Sequence, residues 1–586
     1  MTESFRLKML NGRKHLSSSY FYLGLLKLKQ KEFFSSINLL NSALSAAASG
    51  GGSISAGAIQ QPLASAYLGA GQFGTALEMF GSAVRSAGDY RLTMLPAEKF
   101  RVSGEADMQS LFSAYIEAGI QQFERTGDVA VAKQMLGVAE ESRSALFRQN
   151  LISGRNLPAS YQEKLLQFRQ ALAISLDPAN LEAAKLATSL RLQLADMESE
   201  LGLENPEVRQ QISEKNPGSN PLQLLQKRLT SDEALLSFHT GESGSFVWGV
   251  TRTSFEVHRI PAQEALRMHV AAFRRSLGNQ SKGLVREGLQ VSRMLFGGLS
   301  AHAMSRKDWI LSLDGPLFDL PFAALPVGGD AGIKYVGEGH SLRSVPTAFI
   351  SGDYKQGDFQ KSEQSLSFIG MADPIYNAAD SRFQKGTAEG LQLARLPGTR
   401  QEIDNCSRAW GLDPSPVLLT GMEFSEKQMK LQLDRHPAVL HLAAHVLPHP
   451  KSADQIMIAL GLKHGQQPEY LMPAEIARWR KPVGLVTLSG CSSGTGDAHP
   501  GLGLFGLTRA WLLAGASSVV ASYWPIPDDE GKLLSGMYER LGMLGGTFTA
   551  LDVARALQFS QSNMRGEKGW RSHPGYWAGF FVVAKE

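Results

Sequence analysis

The sequence predicts an all-α region followed by an α/β region built on a mainly parallel sheet with helices on both faces. Two observations carry this. From Ser17 to about Glu200 apolar residues recur at helical spacing and strand signals are sparse. Beyond about residue 222 short apolar runs bounded by turn residues alternate with helical segments, the pattern of strands joined by crossover helices. A third feature locates the chemistry. The apolar run Val483 to Leu488 stops abruptly at Ser489-Gly490-Cys491-Ser492-Ser493-Gly494, so Cys491 stands where a buried strand gives way to a small-residue loop. Open α/β sheets place ligands and reacting groups at the carboxyl ends of their strands.

The 586 residues are enough for about two to four domains, and 43% hydrophobic residues supply real cores. The formal net charge of +4 is spread without a basic block, so nothing calls for nucleic acid or an anionic membrane. Two cysteines, Cys406 and Cys491, are too few for a disulfide framework and fit a reducing compartment. The start, MTESFRLKMLNGRKH, lacks the apolar core of a signal peptide, and no uncharged apolar run reaches about 18 residues. The expectation is a cytoplasmic protein that binds no membrane, no nucleic acid and no cofactor.

In the helical region three segments align. Phe33, Ser36, Leu40 and Ala43 match Phe73, Ala76, Phe80 and Ala83, and both match Val129, Ala132, Leu136 and Ala139. A bulky residue beside a small one on one helix face lets a paired helix approach closely. This resembles the second helix of tetratricopeptide repeats, and Leu23-Gly24 and Leu68-Gly69 resemble the Leu-Gly pair of the first. The intervals, about 40 and about 56 residues, exceed the 34 of that family. Insertions or degenerate repeats are therefore required, and an ordinary helical bundle is the other reading. Ala46 to Ala58, rich in Gly, Ser and Ala, reads as a loop inside the array. Arg191 to Leu203 closes the region, and residues 205–221, with three prolines, read as a linker.

Period-two patterning then begins. Ala234 to His239 and Ser245 to Thr251 read as paired strands, with Ser254 to Ile260 a third. A helical segment, Gln263 to Leu299, leads to a strand at Trp309 to Leu313. Further strands are expected at Phe368 to Ala372, Val417 to Leu419, Val439 to Ala444, Val483 to Leu488 and Ser518 to Tyr523. Helical spacing marks Gly398 to Trp410, Ser425 to Asp434 and Leu502 to Leu513.

Val439 to His445 (VLHLAAH) is a second strand that ends in a reactive side chain. Two neighbouring parallel strands presenting His445 and Cys491 at one edge would form a Cys/His dyad. A thiol of pKa about 8.5 is only slightly ionised at neutral pH, and a nearby imidazole raises its reactivity sharply. Taken alone, a cysteine at a strand end is more often a small buried hydrophobe. The pairing with His445 is what favours the nucleophile.

The stretches LSGCSSGTG, HLAAH, GLGLFGLTRAWLLAGASSVVASYWPIPDDE and HPGYWAGFFV resemble the CHAT proteases, caspase-like enzymes found downstream of tetratricopeptide repeats. LLSFHTGESGSFVWGV, LDGPLFDLPFAALP, SVPTA, GMADPIY and LPGTRQEID extend the resemblance over residues 222–586. It implies a caspase-like, mainly parallel sheet flanked by helices. The expected domains are a tetratricopeptide-like helical domain at 1–204, a linker at 205–221, an inactive half at 222–330 and a catalytic half at 331–586. It further implies a cysteine endopeptidase with His445 as general acid/base, Cys491 as nucleophile, and Val446, Gly490 and Ser492 shaping the oxyanion site. The family more often has Thr or Gly at Ala444, a small residue at Val446 and Glu or Gln at Ser492. GCSSG is closer to the form in separases. Separases also resemble this chain around Tyr523 to Asp528, where the matching aspartate lines a pocket for a basic P1 residue. Asp528 is thus either a substrate-pocket carboxylate or a helix cap for Glu530 to Leu541. The partners implied are a protein substrate, such as a pore-forming or signalling protein in antiviral defence or programmed cell death in bacteria, and a protein held by the repeats.

Other motifs point elsewhere. Gly501 to Gly506 matches GxGxxG, but its glycines lie inside a helical segment well past the strand end. Gly490-Cys-Ser492-Ser-Gly494 fits GxSxG, with Asp528 or Asp529 and His573 following, and would make Ser492 the nucleophile of a serine hydrolase. It leaves His445 without a role. His441 and His445 are spaced for zinc on a helix, but the segment reads as strand and no glutamate follows His441. His441 is expected to pack beneath the site, and Cys406 to be structural. A non-catalytic scaffold is the remaining alternative.

Overall fold

The computed structural model describes residues 16–47, 56–93, 101–153, 221–279, 283–329, 332–349, 367–376, 393–411, 418–449, 452–462, 468–477, 481–490, 507–524, 531–545 and 547–585, with scattered positions between these stretches. The chain divides into two compact units, residues 1–142 with 155–220 and residues 143–154 with 221–586.

Three helical hairpins come first: α1 (Leu16–Lys29) with α2 (Phe33–Ala46), α3 (Ala56–Gly69) with α4 (Phe73–Thr93), and α5 (Arg101–Thr126) with α6 (Val129–Ser153), of which residues 143–153 are counted with the second unit. The aligned residues Phe33, Phe73 and Val129 are the first residues of α2, α4 and α6. The later members of the pattern, Ser36, Leu40 and Ala43 and their counterparts, are buried. The small residues work as the pattern requires. A Cβ on Gly24 would meet Leu40 at 2.6 Å, and one on Gly119 would meet the Met135 sulfur at 2.2 Å. Each hairpin turns through one left-handed residue, Lys31, Gly71 and Gly127, a further mark of equivalence. The stretch Ala46–Ala58, read as a loop, ends as helix, because α3 begins at Ala56. Alanine's helix preference outweighs the loop-like composition there.

The second unit opens with α7 (Pro221–Arg228), at the end of the segment read as linker. Its strands are β1 (Glu233–His239), β2 (Ser245–Thr251), β3 (Phe255–Ile260), β4 (Asp308–Ser312), β5 (Pro326–Gly329), β6 (Gly332–Tyr335), β7 (Ser341–Val345), β8 (Phe368–Pro374), β9 (Leu418–Gly421), β10 (Val439–Ala443), β11 (Val446–His449), β12 (Ser452–Leu462), β13 (Pro468–Leu471), β14 (Val483–Ser489), β15 (Ala516–Ser522) and β16 (Phe580–Ala584). The longer helices are α8 (Gln263–Gly278), α9 (Leu284–Phe296), α10 (Gly398–Ala409), α11 (Glu426–Leu433), α12 (Leu507–Ala514), α13 (Lys532–Gly542) and α14 (Ala550–Gly566). The single helical segment expected at 263–299 is two helices. Asn279 follows α8 and Gly283 precedes α9, residues that favour an interruption.

Eleven strands form one sheet in the order β3-β2-β1-β4-β7-β16-β15-β14-β10-β8-β9. Strands from 222–330 and from 331–586 both enter it. β1, β4, β7 and β16 run parallel, as do β15, β14, β10, β8 and β9. β15 and β16 meet antiparallel, so the two parallel sets point in opposite directions. The carboxyl ends of β10 and β14 therefore lie at the opposite edge from those of β1 and β4. β1, β4, β8 and β10 are buried along their full length, which explains their nearly continuous apolar sequences. Among the described residues no helix is long and apolar enough to cross a membrane.

Buried charge holds the sheet's register. Asp308 opens β4 and accepts hydrogen bonds from Ser341 Oγ (2.7 Å) at the start of β7 and from Arg555 Nε (3.1 Å) and Nη2 (2.7 Å) on α14. Burial pushes its carboxyl up, but the Arg555 and Ser341 bonds outweigh this and hold it below the usual carboxylate range. A depressed folded value gives stabilisation that is complete above about pH 4 and lost as pH falls through the folded value. Asp308→Asn is therefore expected to cost about 2 kcal/mol near neutral pH in urea unfolding followed by tryptophan fluorescence, with the gap to wild type closing in acid. Equal stability at neutral pH would show that the pair contributes nothing.

Candidate active site

β10 lies between β14 and β8, paired parallel with both. Its register with β14 runs from Val439↔Leu485 to Ala443↔Ser489, so the two strands end level. Alternation sorts its side chains. Val439 and Ala443 join one core layer with Phe368, Cys406, Trp410 and Tyr538, whereas Leu440, Leu442 and Ala444 join the other with Leu460, Trp511 and Leu488. Each buried aliphatic side chain contributes about 1.5–3 kcal/mol, which leaves the strands little freedom to slip.

His441 is fully buried on the first of these faces. Its Nε2 lies 3.1 Å from Glu402 Oε1 on α10, and its Nδ1 lies 3.4 Å from the Tyr538 hydroxyl on α13. Tyr538 donates to Thr487 Oγ1 on β14 at 2.6 Å. Burial, and then the neighbouring Cys406, push the Tyr538 hydroxyl well above the usual tyrosine range, so it remains a donor. Glu402, His441, Tyr538 and Thr487 thus tie β10 and β14 to the helices beneath them. Cys406 is buried, with its sulfur 3.6 Å from Ser535 Oγ.

His445 occupies a corner. β10 ends at Ala443, and Val446 begins β11, the first strand of a three-stranded sheet in the order β11-β12-β13. The backbone of His445 is held on both sides. Its N–H donates to the Tyr376 hydroxyl (3.1 Å), and its carbonyl accepts from Ala459 N (2.9 Å). The ring packs against Tyr376, with centroids 5.1 Å apart. Nε2 lies 2.9 Å from the Ala394 carbonyl oxygen. That oxygen can only accept, so Nε2 carries the proton and Nδ1 is the basic nitrogen of the neutral ring. Nδ1 makes no hydrogen bond among the described residues. A half-buried imidazole with one nitrogen fixed and the other basic is suited to take and return a proton.

Gly490 ends the described part of β14's approach to the loop. A Cβ there would fall 2.4 Å from the Ala444 carbonyl oxygen and 3.1 Å from Val446 Cγ2, so only glycine fits. Its own carbonyl accepts from Ser522 Oγ on β15 at 2.6 Å. His445, Val446 and Gly490 are thus brought together. Cys491, Ser492 and Asp528 lie outside the described residues. The cap position of α13 is Gly531, at φ 70°, where a Cβ would lie 2.5 Å from Glu402 Cγ. This corrects the reading of Asp528 as the cap, since the tight turn against Glu402 demands glycine at that place.

Tyr376 and Ala394 were not singled out by sequence reasoning. Tyr376 lies within GMADPIY, whose abrupt Asp-Pro after an apolar run marks a strand end. Ala394 contributes only its carbonyl, which no side-chain letter reveals.

The CHAT domain family model matches residues 286–585, just over half of the chain. The chain belongs to the CHAT domain family. It is also similar to Tetratricopeptide repeat protein 28 of Homo sapiens, 24% identical over 318 residues, and to its Mus musculus counterpart, 24% identical over 311 residues. Each match covers 47% of this chain and 12% of the relative, so the chain spans only a small part of those proteins. Among solved structures it is similar to two crystal structures of the Saccharomyces cerevisiae separase–securin complex, at 11% and 12% identity and a TM-score of 0.38 in each. These cover 97% of this chain and 46% and 47% of the chains matched.

Gly490→Ala is expected to force the ends of β10 and β14 apart and to cost about 1–3 kcal/mol, read as a lowered thermal midpoint. An unchanged midpoint would mean that Ala444 and Gly490 do not pack as closely as described.

Proposed function

We propose that this protein is a cysteine endopeptidase with Cys491 as nucleophile and His445 as general acid/base. The observation that carries the reading is the bond from His445 Nε2 to the Ala394 carbonyl, made just past the end of β10, which is level with the end of the strand that leads through Gly490 to Cys491. It leaves Nδ1 as the base at the strand edge. The thiol proton passes to Nδ1, and the thiolate sulfur bonds to the scissile carbonyl carbon. The resulting oxyanion takes hydrogen bonds from backbone N–H groups around Val446, Gly490 and Ser492, each worth about 3 kcal/mol in the transition state. As the intermediate collapses the C–N bond breaks, the imidazolium protonates the departing amine, and a thioester remains. Water then gives a proton to Nδ1 and adds to the thioester, and the thiolate leaves as the new carboxyl forms.

Asp528 is proposed to favour Arg or Lys at P1 through a charge-assisted pair, and equal cleavage of library peptides after acidic and basic residues would remove that assignment. The helical hairpins are proposed to hold a protein partner or substrate, since stacked helix pairs present extended surfaces suited to peptide segments. The defence setting, with a pore-forming or signalling protein as substrate, is proposed from the family resemblance. The fold accommodates many activities, so the test must read chemistry.

Wild-type protein incubated with candidate partners and analysed by mass spectrometry is expected to yield fragments. Cys491→Ala and His445→Ala are each expected to lower that yield by about a thousandfold or more, while Ser492→Ala retains most of it. Identical partner profiles for wild type and Cys491→Ala would contradict the reading and favour a scaffold. Loss in Ser492→Ala alone would assign a serine nucleophile.

A further inference from the structure

At the carboxyl end of β8 lies a partly buried ion cluster that the dyad does not contain. Asp373 is 3% exposed and held at φ 46°, a backbone conformation that residues other than glycine rarely adopt. Its carboxylate accepts from Arg395 Nε (2.9 Å) and Nη2 (2.7 Å) and from Arg382 Nη1 (2.7 Å) and Nη2 (3.1 Å). Arg382 also grips Asp380, through Nε at 2.9 Å and Nη2 at 2.5 Å. Two carboxylates and two guanidinium groups balance in charge, and the planar forks match the carboxylates edge to edge. The backbone N–H of Asp373 donates to Thr399 Oγ1 (3.0 Å), which donates to the Leu396 carbonyl (2.6 Å). The stretch from Arg395 to Thr399 is thus tied at both ends to one residue.

That stretch matters because of its neighbour. Ala394, bonded directly to Arg395, supplies the carbonyl that fixes His445 Nε2. Three residues beyond Asp373, Tyr376 supplies the hydroxyl that accepts from the His445 backbone N–H. Two of the three groups that hold His445 therefore start from Asp373, Tyr376 along the chain and Ala394 through Arg395, the third being Ala459 N on the His445 carbonyl. A surface ion pair is the simpler account of Arg395, whose side chain is 44% exposed. It does not explain why the partner carboxylate is buried, accepts two bidentate forks and sits in a strained backbone.

We propose that Asp373 is a positioning residue for His445: clamped by Arg395, it fixes the Ala394 carbonyl and so keeps the proton on Nε2 and the base on Nδ1. The inference rests on the cysteine endopeptidase reading for its purpose, but the clamp has a readout of its own. Which ring nitrogen is left basic is set by the bond the other nitrogen makes, and losing that orienting partner releases the alternative tautomer.

The test uses the full chain labelled with ¹⁵N-histidine, with the His445 resonances assigned by their loss in His445→Gln. Wild type is expected to show His445 predominantly protonated at Nε2. Arg395→Ala is expected to shift it to a mixture of tautomers and to slow alkylation of Cys491 by iodoacetamide about tenfold to a hundredfold. Guanidinium chloride well below denaturing concentration should restore both in Arg395→Ala, a rescue that general destabilisation would not give. If Arg395→Ala unfolds, Arg395→Gln carries the same tautomer measurement. An unchanged tautomer in the folded variant overturns the clamp whatever the alkylation rate. A shifted tautomer with a wild-type Cys491 no more reactive than an ordinary thiol upholds the clamp and overturns the endopeptidase reading.

Discussion

The parallel pairing of β10 with β14 is the constraint on which the site depends. Its register ends at Ala443↔Ser489, and at the next position Gly490 lies against the Ala444 carbonyl with no room for a Cβ. One residue further along β10's side stands His445, and one residue further along the chain from Gly490 comes Cys491. A slip of one residue would turn every buried side chain of either strand to the wrong face, at a cost no single site residue could offset. The apolar alternation in VLHLAAH and VGLVTLS thus fixes the position of the chemistry as well as the core. Beneath it, the bonds from Glu402 through His441 and Tyr538 to Thr487 link the same two strands to α10 and α13.

The second organising feature is the reversal between β16 and β15. It sends the two parallel sets in opposite directions and gathers at the edge with His445 the end of β9 and those of the four strands that shape the site, β8, β10, β14 and β15. Each contributes something there. β10 leads to the imidazole, β14 to Gly490, β15 supplies Ser522 to the Gly490 carbonyl, and β8 ends in Asp373 and the turn to Tyr376. The charged groups at the amino ends of β4 and β7, Asp308 with Arg555 and Ser341, serve the register of those two strands instead.

Much of this was legible in the sequence, and the exceptions share a cause. The strands VLHLAA and VGLVTLS and their parallel pairing follow from uninterrupted apolar runs that stop at small residues, whereas Cys491, read as the partner of His445, lies outside the described residues. The large and small residues beginning at Phe33, Phe73 and Val129 marked the second helix of each hairpin, because close helix contact leaves a local spacing. β7, the β5–β6 hairpin and the three-stranded sheet from Val446 were not read. SLRSV carries an arginine that its partner Glu233 neutralises only in the fold, and β5, β6, β11 and β13 are only four residues long. Ala56 to Ala58, at the end of a stretch read as loop from its Gly, Ser and Ala content, are helical. The ion cluster at Asp373 and the carbonyl of Ala394 were beyond reach for a different reason. Asp373, Arg382 and Arg395 are spaced along the sequence with no period, and a backbone oxygen has no letter.

The central claim is that Cys491 attacks as a thiolate prepared by His445, and intact-mass analysis with a peptidyl acyloxymethyl ketone library tests it most directly. The probe's leaving group is displaced by an activated thiolate, so each labelled chain gains one peptidyl ketone and the site is read by fragment mapping. The expected result is a single adduct on Cys491 in wild type, reduced about a hundredfold or more in His445→Ala. An adduct on Ser492, or labelling of Cys491 that is the same with and without His445, would contradict the account.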